Sequence, residues 1–510
     1  MENALSNIEF PEIFIGIVAP VGVDIKSTIF EYSAYFKSKG YDVITIKVTD
    51  YFPSIKRSLR IDLPLHNSPT DKRIESYIDF ANYVRKEFED DSILAAYTVF
   101  RITRLRQNAM KSEDNISYSK RVFLIHQFKR KEEVDLMRSV YGVSFFQVSV
   151  YSRRDSRIDY LSRQLAHEQN NTDSGKYHST ANDLVNRDQH ETAEAHGQRV
   201  GKIFHDADFI INCDELGQNA IKEQIVRFCE LLFSSNKISP TKLEYSMFAA
   251  KAAALRTLDL SRQVGAAIFR PTGEILSMGS NEVPKAGGGT YWCDEPPFDA
   301  REYIRSEDSN DKRKREILKE LFTVSNPGGD FEEYFNSAVI QDSQFMDALE
   351  YGRIVHAEMN AITDAARLGI PLKDAILYST TFPCHMCAKH IVSSGIKEVV
   401  FLEPYPKSLA ADLHSDSIQI EGTGRGAYDG YGAVMFRHFA GVTPRRYREL
   451  FERSSRKRSG TFIEHIAGKA RPNVNLFAPF YAELELLVIR SGTRALDRLL
   501  DNRMIEQSEE

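Results

Sequence analysis

Cysteine is scarce in this chain. Cys213, Cys229, Cys293, Cys384 and Cys387 are the only five thiols in 510 residues. That excludes a disulfide scaffold and fits a reducing compartment. No apolar run approaches the roughly 20 residues that span a bilayer. The start, Met1-Glu2-Asn3-Ala4, has neither a basic n-region nor an apolar h-region, so the expectation is a cytoplasmic protein with no membrane partner. A basic surplus is missing too. Lys and Arg number 66 against 72 Asp and Glu, a net charge of −6. This leans away from a polynucleotide ligand, although a local basic patch fits inside an acidic total. Hydrophobic residues at 42% and charged residues at 27% are an ordinary globular composition. The length suffices for two or three domains.

The first part reads as parallel α/β. Ile13 to Pro20 (IFIGIVAP) is a short apolar run, Ser27 to Ser38 is helical and closed by Gly40, and Tyr41 to Val48 alternates as a strand. Strand, helix, strand in that order starts a parallel sheet. Arg121–Phe128, Ser144–Tyr151 and Phe209–Cys213 add strands, with a helix near Lys131–Val140. From about residue 153 to 200, and most of all over His167–His196, the composition turns polar and predicts a mobile lid or loop. Its histidines, His167, His178, His190 and His196, are irregularly spaced with no cysteine among them, which suits solvated residues better than metal ligands. The expected first domain spans residues 1–235.

Ser234–Thr241 (SSNKISPT) reads as a linker. A helix over Glu244–Leu258 comes next, then strands over Val264–Phe269 and Glu274–Met278, a Gly287-Gly288-Gly289 loop and a mixed-charge stretch, Asp299–Glu333. Val355–Leu368 is amphipathic at helical spacing and stops at Gly369. Ala375–Phe382 is a strand, Cys384–Ser394 a helix opened by Pro383 and closed by Gly395, and Lys397–Glu403 a strand. The expected second domain spans 240–470, with a helical extension over 471–510.

Two motifs in that second domain carry chemistry: His356-Ala357-Glu358 and Pro383-Cys384-His385-Met386-Cys387. One imidazole and two thiolates give Zn2+ three ligands and leave a fourth position open for water, the mark of a catalytic site. Cys384 and Cys387, three residues apart, share a helix face, and the helix start favours thiolate over thiol. Glu358 points to another side of its turn, where it can move protons without binding metal. A redox dithiol would leave the upstream His-Ala-Glu unexplained. A structural zinc site wants a fourth ligand, and His385 is poorly placed to be one. His-x-Glu followed by Pro-Cys-x-x-Cys is the pattern of zinc deaminases that act on nucleobases. Cys293 reads as a small apolar residue, and Gly422–Gly426 as a phosphate cradle or a flexible turn.

Leu377–Ala410, together with the HAEMNAI run at 356–362, resembles the deoxycytidylate deaminase family. Ser261-Arg262-Gln263-Val264-Gly265-Ala266 and Gly279-Ser280-Asn281-Glu282 resemble its opening strands and its sugar-binding asparagine loop. The likeness covers about residues 240–450. It implies a cytidine-deaminase-like α/β/α domain that uses Zn2+ to remove ammonia from C4 of a deoxycytidine nucleotide, dCMP, dCTP or both. Glu358 would serve N3 and the leaving amino group. The backbone at Ala357 and Thr380 would hold the base edge, and Asn281 would meet the sugar, a turn role being its competing reading. Tyr405 would pack on the base or in the core. Arg262 and Lys407 would meet phosphate. The alternative is a tRNA or single-stranded DNA deaminase, which shares the motif and predicts basic, aromatic channels. The resemblance also implies a homo-oligomer.

The order of domains resembles bacterial anti-phage dCTP/dCMP deaminases with an N-terminal P-loop-kinase-like domain, on the residues Gly16 to Gly22, Tyr141-Gly142 and Ala207-Asp208-Phe209. That implies a three-layer parallel sheet, depletion of the deoxycytidine nucleotide pool, and restraint by an inhibitory RNA, protein or nucleotide. Gly16, Gly22, Lys26, Ser27 and Thr28 would hold a nucleoside triphosphate with Mg2+. The loop is degenerate, however. Val23-Asp24-Ile25 separates Gly22 from Lys26, and Val122–Ile125 runs into His126-Gln127 with no Walker B aspartate. Nucleotide binding stays open on these residues, and phosphoryl transfer is disfavoured. Arg153, Arg154 and Arg157 match phosphate-binding lid arginines or a solvated basic turn.

Overall fold

β1 (Ile13–Val18) is buried at all six positions, as a strand covered on both faces must be. It lies between β3 (Arg121–His126) and β4 (Phe145–Tyr151), with β2 (Asp42–Lys47) and β5 (Phe209–Asn212) outside them. The order β5-β4-β1-β3-β2 is parallel throughout, in register Ile13 with Val122 and Phe14 with Phe145. The short strand Gly441–Val442 adds antiparallel to β5. This is a computed structural model, and it describes residues 8–109, 118–189, 196–215, 219–295, 297–453, 456–463, 471–474 and 479–509. His190 of the expected lid lies outside them.

The chain divides into two units, residues 1–240 with 440–510, and residues 241–439. The zinc-motif unit therefore ends at Phe439, short of the 240–470 span read from sequence. Residues 440–510 belong instead to the first unit. The reason is a buried charge network. Arg106 donates to Glu12 and to Glu485, both at 2.7 Å, Arg121 adds a pair to Glu12 at 3.0 Å, and the Tyr141 hydroxyl donates to Glu485 at 3.0 Å. Glu485 sits on helix Tyr481–Glu509, so the C-terminal helix is part of the first unit's core. The polar stretch expected to be a lid holds two helices, Arg154–Glu168 and His178–Gln189. They pack through Ile158, Leu161, Ala181 and Val185.

In the second unit the sheet order is β10-β11-β9-β8-β6-β7. The strands are β6 (Gly265–Phe269), β7 (Ile275–Ser280), β8 (Ile376–Thr381), β9 (Glu398–Glu403), β10 (Ile418–Ile420) and β11 (Val434–His438). β8 through β10 run parallel, and β6 and β7 are antiparallel. Helix Ala357–Arg367 lays Ala357, Ala361 and Ala365 into the core. Gly279 makes that approach possible. A Cβ there would lie 2.2 Å from the Ala357 carbonyl oxygen and 2.5 Å from the Ala361 nitrogen.

Candidate active site

Two helix starts converge at one end of this sheet. His356 is the N-cap residue of helix Ala357–Arg367, and Cys384 is the N-cap residue of helix His385–Ser393. Both residues are extended, with ψ of 156° and 167°, which turns their side chains back across the helix openings. His356 Nδ1 lies 3.2 Å from Cys384 Sγ and 3.4 Å from Cys387 Sγ. Among the described residues this is the only group of three or more His, Cys, Asp or Glu side chains close enough to share an ion. Cys293 is exposed and stands apart. The donors suit Zn2+: two soft thiols and an imidazole, at the positive ends of two helices. A hydrogen bond from the Cys387 thiol, joined by His356, lowers the Cys384 thiol and favours its thiolate form.

Glu358 is buried, and its Oε1 accepts a 2.9 Å bond from the Ser379 hydroxyl. Burial, with the Cys384 thiolate nearby, raises its pKa above the ordinary carboxyl range. A carboxyl so poised holds a proton to higher pH than a solvated one, which suits it to proton transfer. Ser379, on β8, was not legible as a site residue. Its signal is only that a polar residue occupies a fully buried strand position.

A cavity of about 270 Å³ opens onto these groups. Asn281, Ala357, Arg262 and Tyr405 line it, whereas Thr380 and Lys407 do not. The Thr380 hydroxyl turns to the sheet and accepts from the Gly265 amide at 3.0 Å, leaving its neighbour Thr381 at the cavity wall. Lys407 pairs with Asp347 at 2.5 Å. Arg262 pairs with Glu403 and lies 5.8 Å from the Tyr405 ring. Asn281 is a clamp. Its amide nitrogen donates to Asp259 at 2.5 Å and to the Arg262 carbonyl at 2.6 Å, and its oxygen accepts from Val264 at 2.7 Å. Tyr405 both lines the cavity and packs against the core.

Asp259 and the wall built by residues 302–353 were missed from sequence. Asp308, Asp311 and Lys314 come from the Asp299–Glu333 stretch, legible only as mixed charge, and Arg353 lies beyond it. The lining carboxyls Asp259, Glu302, Asp308, Asp311 and Glu358 outnumber the cations Arg262, Lys314 and Arg353. Lys314 is paired with Asp311 at 2.8 Å and Arg353 with Glu302 at 3.6 Å.

In the first unit, Gly16 lies within β1, where a Cβ would meet the Phe145 ring at 2.5 Å, a packing role. Gly22 has φ +89° and abuts Arg157. The Lys26 and Ser27 amides donate to Asp24 at 3.1 and 3.4 Å, and the Ser27 hydroxyl donates to Asp24 at 2.6 Å. Thr28 is buried. The chain's own carboxylate thus caps the helix start. Of the three arginines, Arg153 lies 3.4 Å from Asp214, Arg154 donates to Asn182 at 2.8 Å, and Arg157 is buried.

Comparison with known proteins bears on the same segment of sequence. Residues 240–403 match the cytidine and deoxycytidylate deaminase zinc-binding region. ComE operon protein 2 of Bacillus subtilis is 45% identical over 53 residues, 10% of this chain and 28% of that one. Deoxycytidylate deaminase of phage T4 is 50% identical over 54 residues, 11% of this chain and 28% of that one. The mouse deoxycytidylate deaminase is 28% identical over 159 residues, 31% of this chain and 63% of that one. The chain thus spans under a third of the first two relatives. A dCMP deaminase from cyanophage S-TIM5, solved with dCMP and dUMP, aligns with 39% of this chain and 98% of that one at 18% identity, with a TM-score of 0.22. His356, Glu358, Cys384 and Cys387 all lie within the segment that matches the cytidine and deoxycytidylate deaminase zinc-binding region.

Proposed function

We propose that the second unit is a zinc-dependent deaminase of deoxycytidine nucleotides, converting dCMP, dCTP or both to the uracil nucleotide and ammonia. The observation that carries this reading is the His356, Cys384 and Cys387 cluster beside a buried, proton-competent Glu358 in one cavity. Held by those three side chains, Zn2+ would supply Lewis-acid activation of water. Glu358 takes a proton on one carboxyl oxygen, delivers it to the ring nitrogen N3, and serves the departing amino group in turn. Ser379 keeps the other oxygen in place. The Ala357 backbone and the strand end at Thr380–Thr381 hold the base edge. Asn281 keeps one lone pair on its oxygen for the sugar after accepting from Val264, and Tyr405 covers the base. Arg262 meets phosphate by exchanging its partner Glu403, and Lys407 does so by exchanging Asp347.

The acid-rich lining speaks against a tRNA or single-stranded DNA path, which wants unpaired cations along the strand. It also favours the monophosphate, unless Mg2+ accompanies the triphosphate. For the first unit we propose a P-loop-kinase-like fold, supported by the β2-β3-β1-β4-β5 parallel order, without phosphoryl transfer. Self-association, an RNA, protein or nucleotide inhibitor, and anti-phage depletion of the deoxycytidine pool are proposals resting on the resemblance. A cytoplasmic site is likewise proposed, and among the described residues no helix is long and apolar enough to cross a membrane.

The test is ammonia release from dCMP, dCTP, CMP, CTP, dAMP and single-stranded DNA, with Glu358→Ala as control. Turnover of dCMP or dCTP alone supports the reading. Turnover of the polynucleotide alone overturns it.

A further inference from the structure

The first unit carries a cleft of about 380 Å³ that is lined by helices and their ends, with no strand residue in its wall. Helix Phe52–Ser58 supplies Ile55, and helix Thr70–Phe88 supplies Val84 and Phe88. Helix Ile93–Ala109 supplies Phe100, and the C-terminal helix Tyr481–Glu509 supplies Ile489 and Leu496. The cleft is larger than the zinc cavity, at about 270 Å³, and falls in the range of small-molecule sites, about 300–1,000 Å³. Packed helices close such gaps where they can, because a void forfeits contacts along its lining.

Gly492 helps to keep this one open. It lies well inside helix Tyr481–Glu509 and lines the cleft. Glycine weakens a helix interior more than any residue except proline, so its presence there asks for a reason. At Gly279 the reason is a neighbour, since a Cβ would lie 2.2 Å from the Ala357 carbonyl oxygen. At Gly492 a Cβ would point into open space, with no packing neighbour within 4 Å among the described residues. The helix forgoes a side chain where nothing in the chain obstructs one, and the room belongs to the cleft.

The charge at the cleft is one-sided. Arg104 is the only charged residue in the lining, and no carboxylate faces it. It is exposed, and among the described residues it has neither an ion pair nor a hydrogen bond. The other arginines of its helix are engaged, Arg106 with Glu12 and Glu485 and Arg101 over the Tyr51 ring at 4.6 Å. Apolar walls take a hydrocarbon chain, and a free guanidinium matches the planar fork of a carboxylate.

We infer that this cleft binds a single-chain alkyl carboxylate, its hydrocarbon running over Gly492 among Phe100, Ile489 and Leu496 and its carboxylate on Arg104. Bound there, the ligand bridges helix Ile93–Ala109 and the C-terminal helix and stabilises their packing. The inference is independent of the deaminase reading, since the cleft shares no residue with the zinc cavity.

The test is titration calorimetry of the full chain with hexanoate, octanoate and decanoate, with octanol and octyltrimethylammonium as comparators. Octanoate should bind with Kd of about 1 mM or tighter, and each added CH2 from hexanoate to decanoate should tighten binding about fourfold. Octanol should bind about tenfold more weakly than octanoate, and Arg104→Ala should remove that difference by weakening octanoate alone. Gly492→Ala should raise the melting temperature, because alanine favours the helix, and yet weaken octanoate, because the new Cβ stands in the cleft. Weaker binding by a more stable protein is a result that misfolding cannot produce. The inference falls if octanoate does not bind, if octanol or octyltrimethylammonium binds as tightly, if chain length has no effect, or if folded Arg104→Ala and Gly492→Ala bind octanoate unchanged. Self-association that Gly492→Leu abolishes, with no octanoate taken up, would give the cleft to a second copy of the chain and overturn the inference. Because the readout is binding of a ligand with no amino group to lose, its outcome leaves the deaminase reading untouched.

Discussion

Replacing Glu358 by glutamine isolates its proton chemistry from its packing. Gln has the same shape, and its carbonyl oxygen accepts the Ser379 hydroxyl bond as Oε1 does at 2.9 Å. The site is buried and already disfavours the charged carboxylate, so the neutral amide relieves a desolvation cost and the fold holds. What is lost is the group that carries a proton between water, ring nitrogen and leaving group. Positioned acid–base catalysis is worth about 10²–10⁴ in rate, which is about 3 to 5.5 kcal/mol at 1.36 kcal/mol per factor of ten. The assay pairs kcat for ammonia release with zinc content per chain. The expected result is a fall of at least a hundredfold at unchanged zinc stoichiometry and melting temperature. A pH series adds a sign. The raised pKa keeps Glu358 protonated to higher pH than a free carboxyl, so the wild-type rate falls as pH drops through that raised value. Less than a tenfold loss in a zinc-loaded Glu358→Gln protein would refute the assigned role.

The same geometry sets three further outcomes. Gly279→Ala forces a Cβ into the backbone at Ala357 and Ala361; overpacking of this kind costs about 1–3 kcal/mol, and zinc content and activity should fall with the melting temperature, an unaltered protein refuting the close-approach argument. Arg106→Leu strands Glu12 and Glu485 in the core; breaking a buried pair costs about 3–5 kcal/mol, and hydrogen exchange should show helix Tyr481–Glu509 losing protection, retained protection counting against its role as anchor. His126, buried with no partner for Nδ1, is lowered from 6.5 to about 4 by burial and by Lys47. The unfolded chain therefore binds the extra proton first, and stability present above pH 6.5 is lost as pH falls towards 4, by up to about 3 kcal/mol. His126→Phe should flatten that part of the pH profile, and a profile indifferent to the substitution would remove His126 as its source.

The His356, Cys384 and Cys387 cluster was legible because its spacing is local. A three-residue step on one helix turn, a His-x-Glu at another helix start and glycine stops at 369 and 395 (φ +71° and +78°) declare themselves within a dozen residues. Strands β1 to β9 were legible for the same reason, since buried apolar runs repeat over short windows, whereas the short strands Ile418–Ile420, Val434–His438 and Gly441–Val442 were not read. Contacts between distant positions were not. Ser379 meets Glu358 across 21 residues and Asn281 meets Asp259 across 22, and no periodicity announces either. Arg106 finds Glu485 across 379, so a sequence window at 440–510 shows a helix but not which unit it completes. The polar stretch read as a lid keeps a narrow apolar seam, Ile158, Leu161, Ala181 and Val185. Its composition hid what its pairing supplies. Thr380 shows the limit of reading by motif, because alternation along β8 decides which of two neighbouring threonines faces the cavity.

The return of residues 440–510 to the first unit bears on the order in which the molecule can be finished on the ribosome. Arg106 and Glu12 emerge early, yet Glu485 does not exist until residues 241–439 have been made, about 10–40 s of synthesis at 5–20 residues per second. Through that interval the first sheet lacks its Gly441–Val442 edge, and the Glu12–Arg106 pair lacks the helix that seals it from water. The zinc-motif unit, second along the chain, has all of its strands and ligands first. That unit is whole while its elder neighbour waits with an open core and an unpaired edge. The unit left unfinished longest is therefore the one translated before its neighbour.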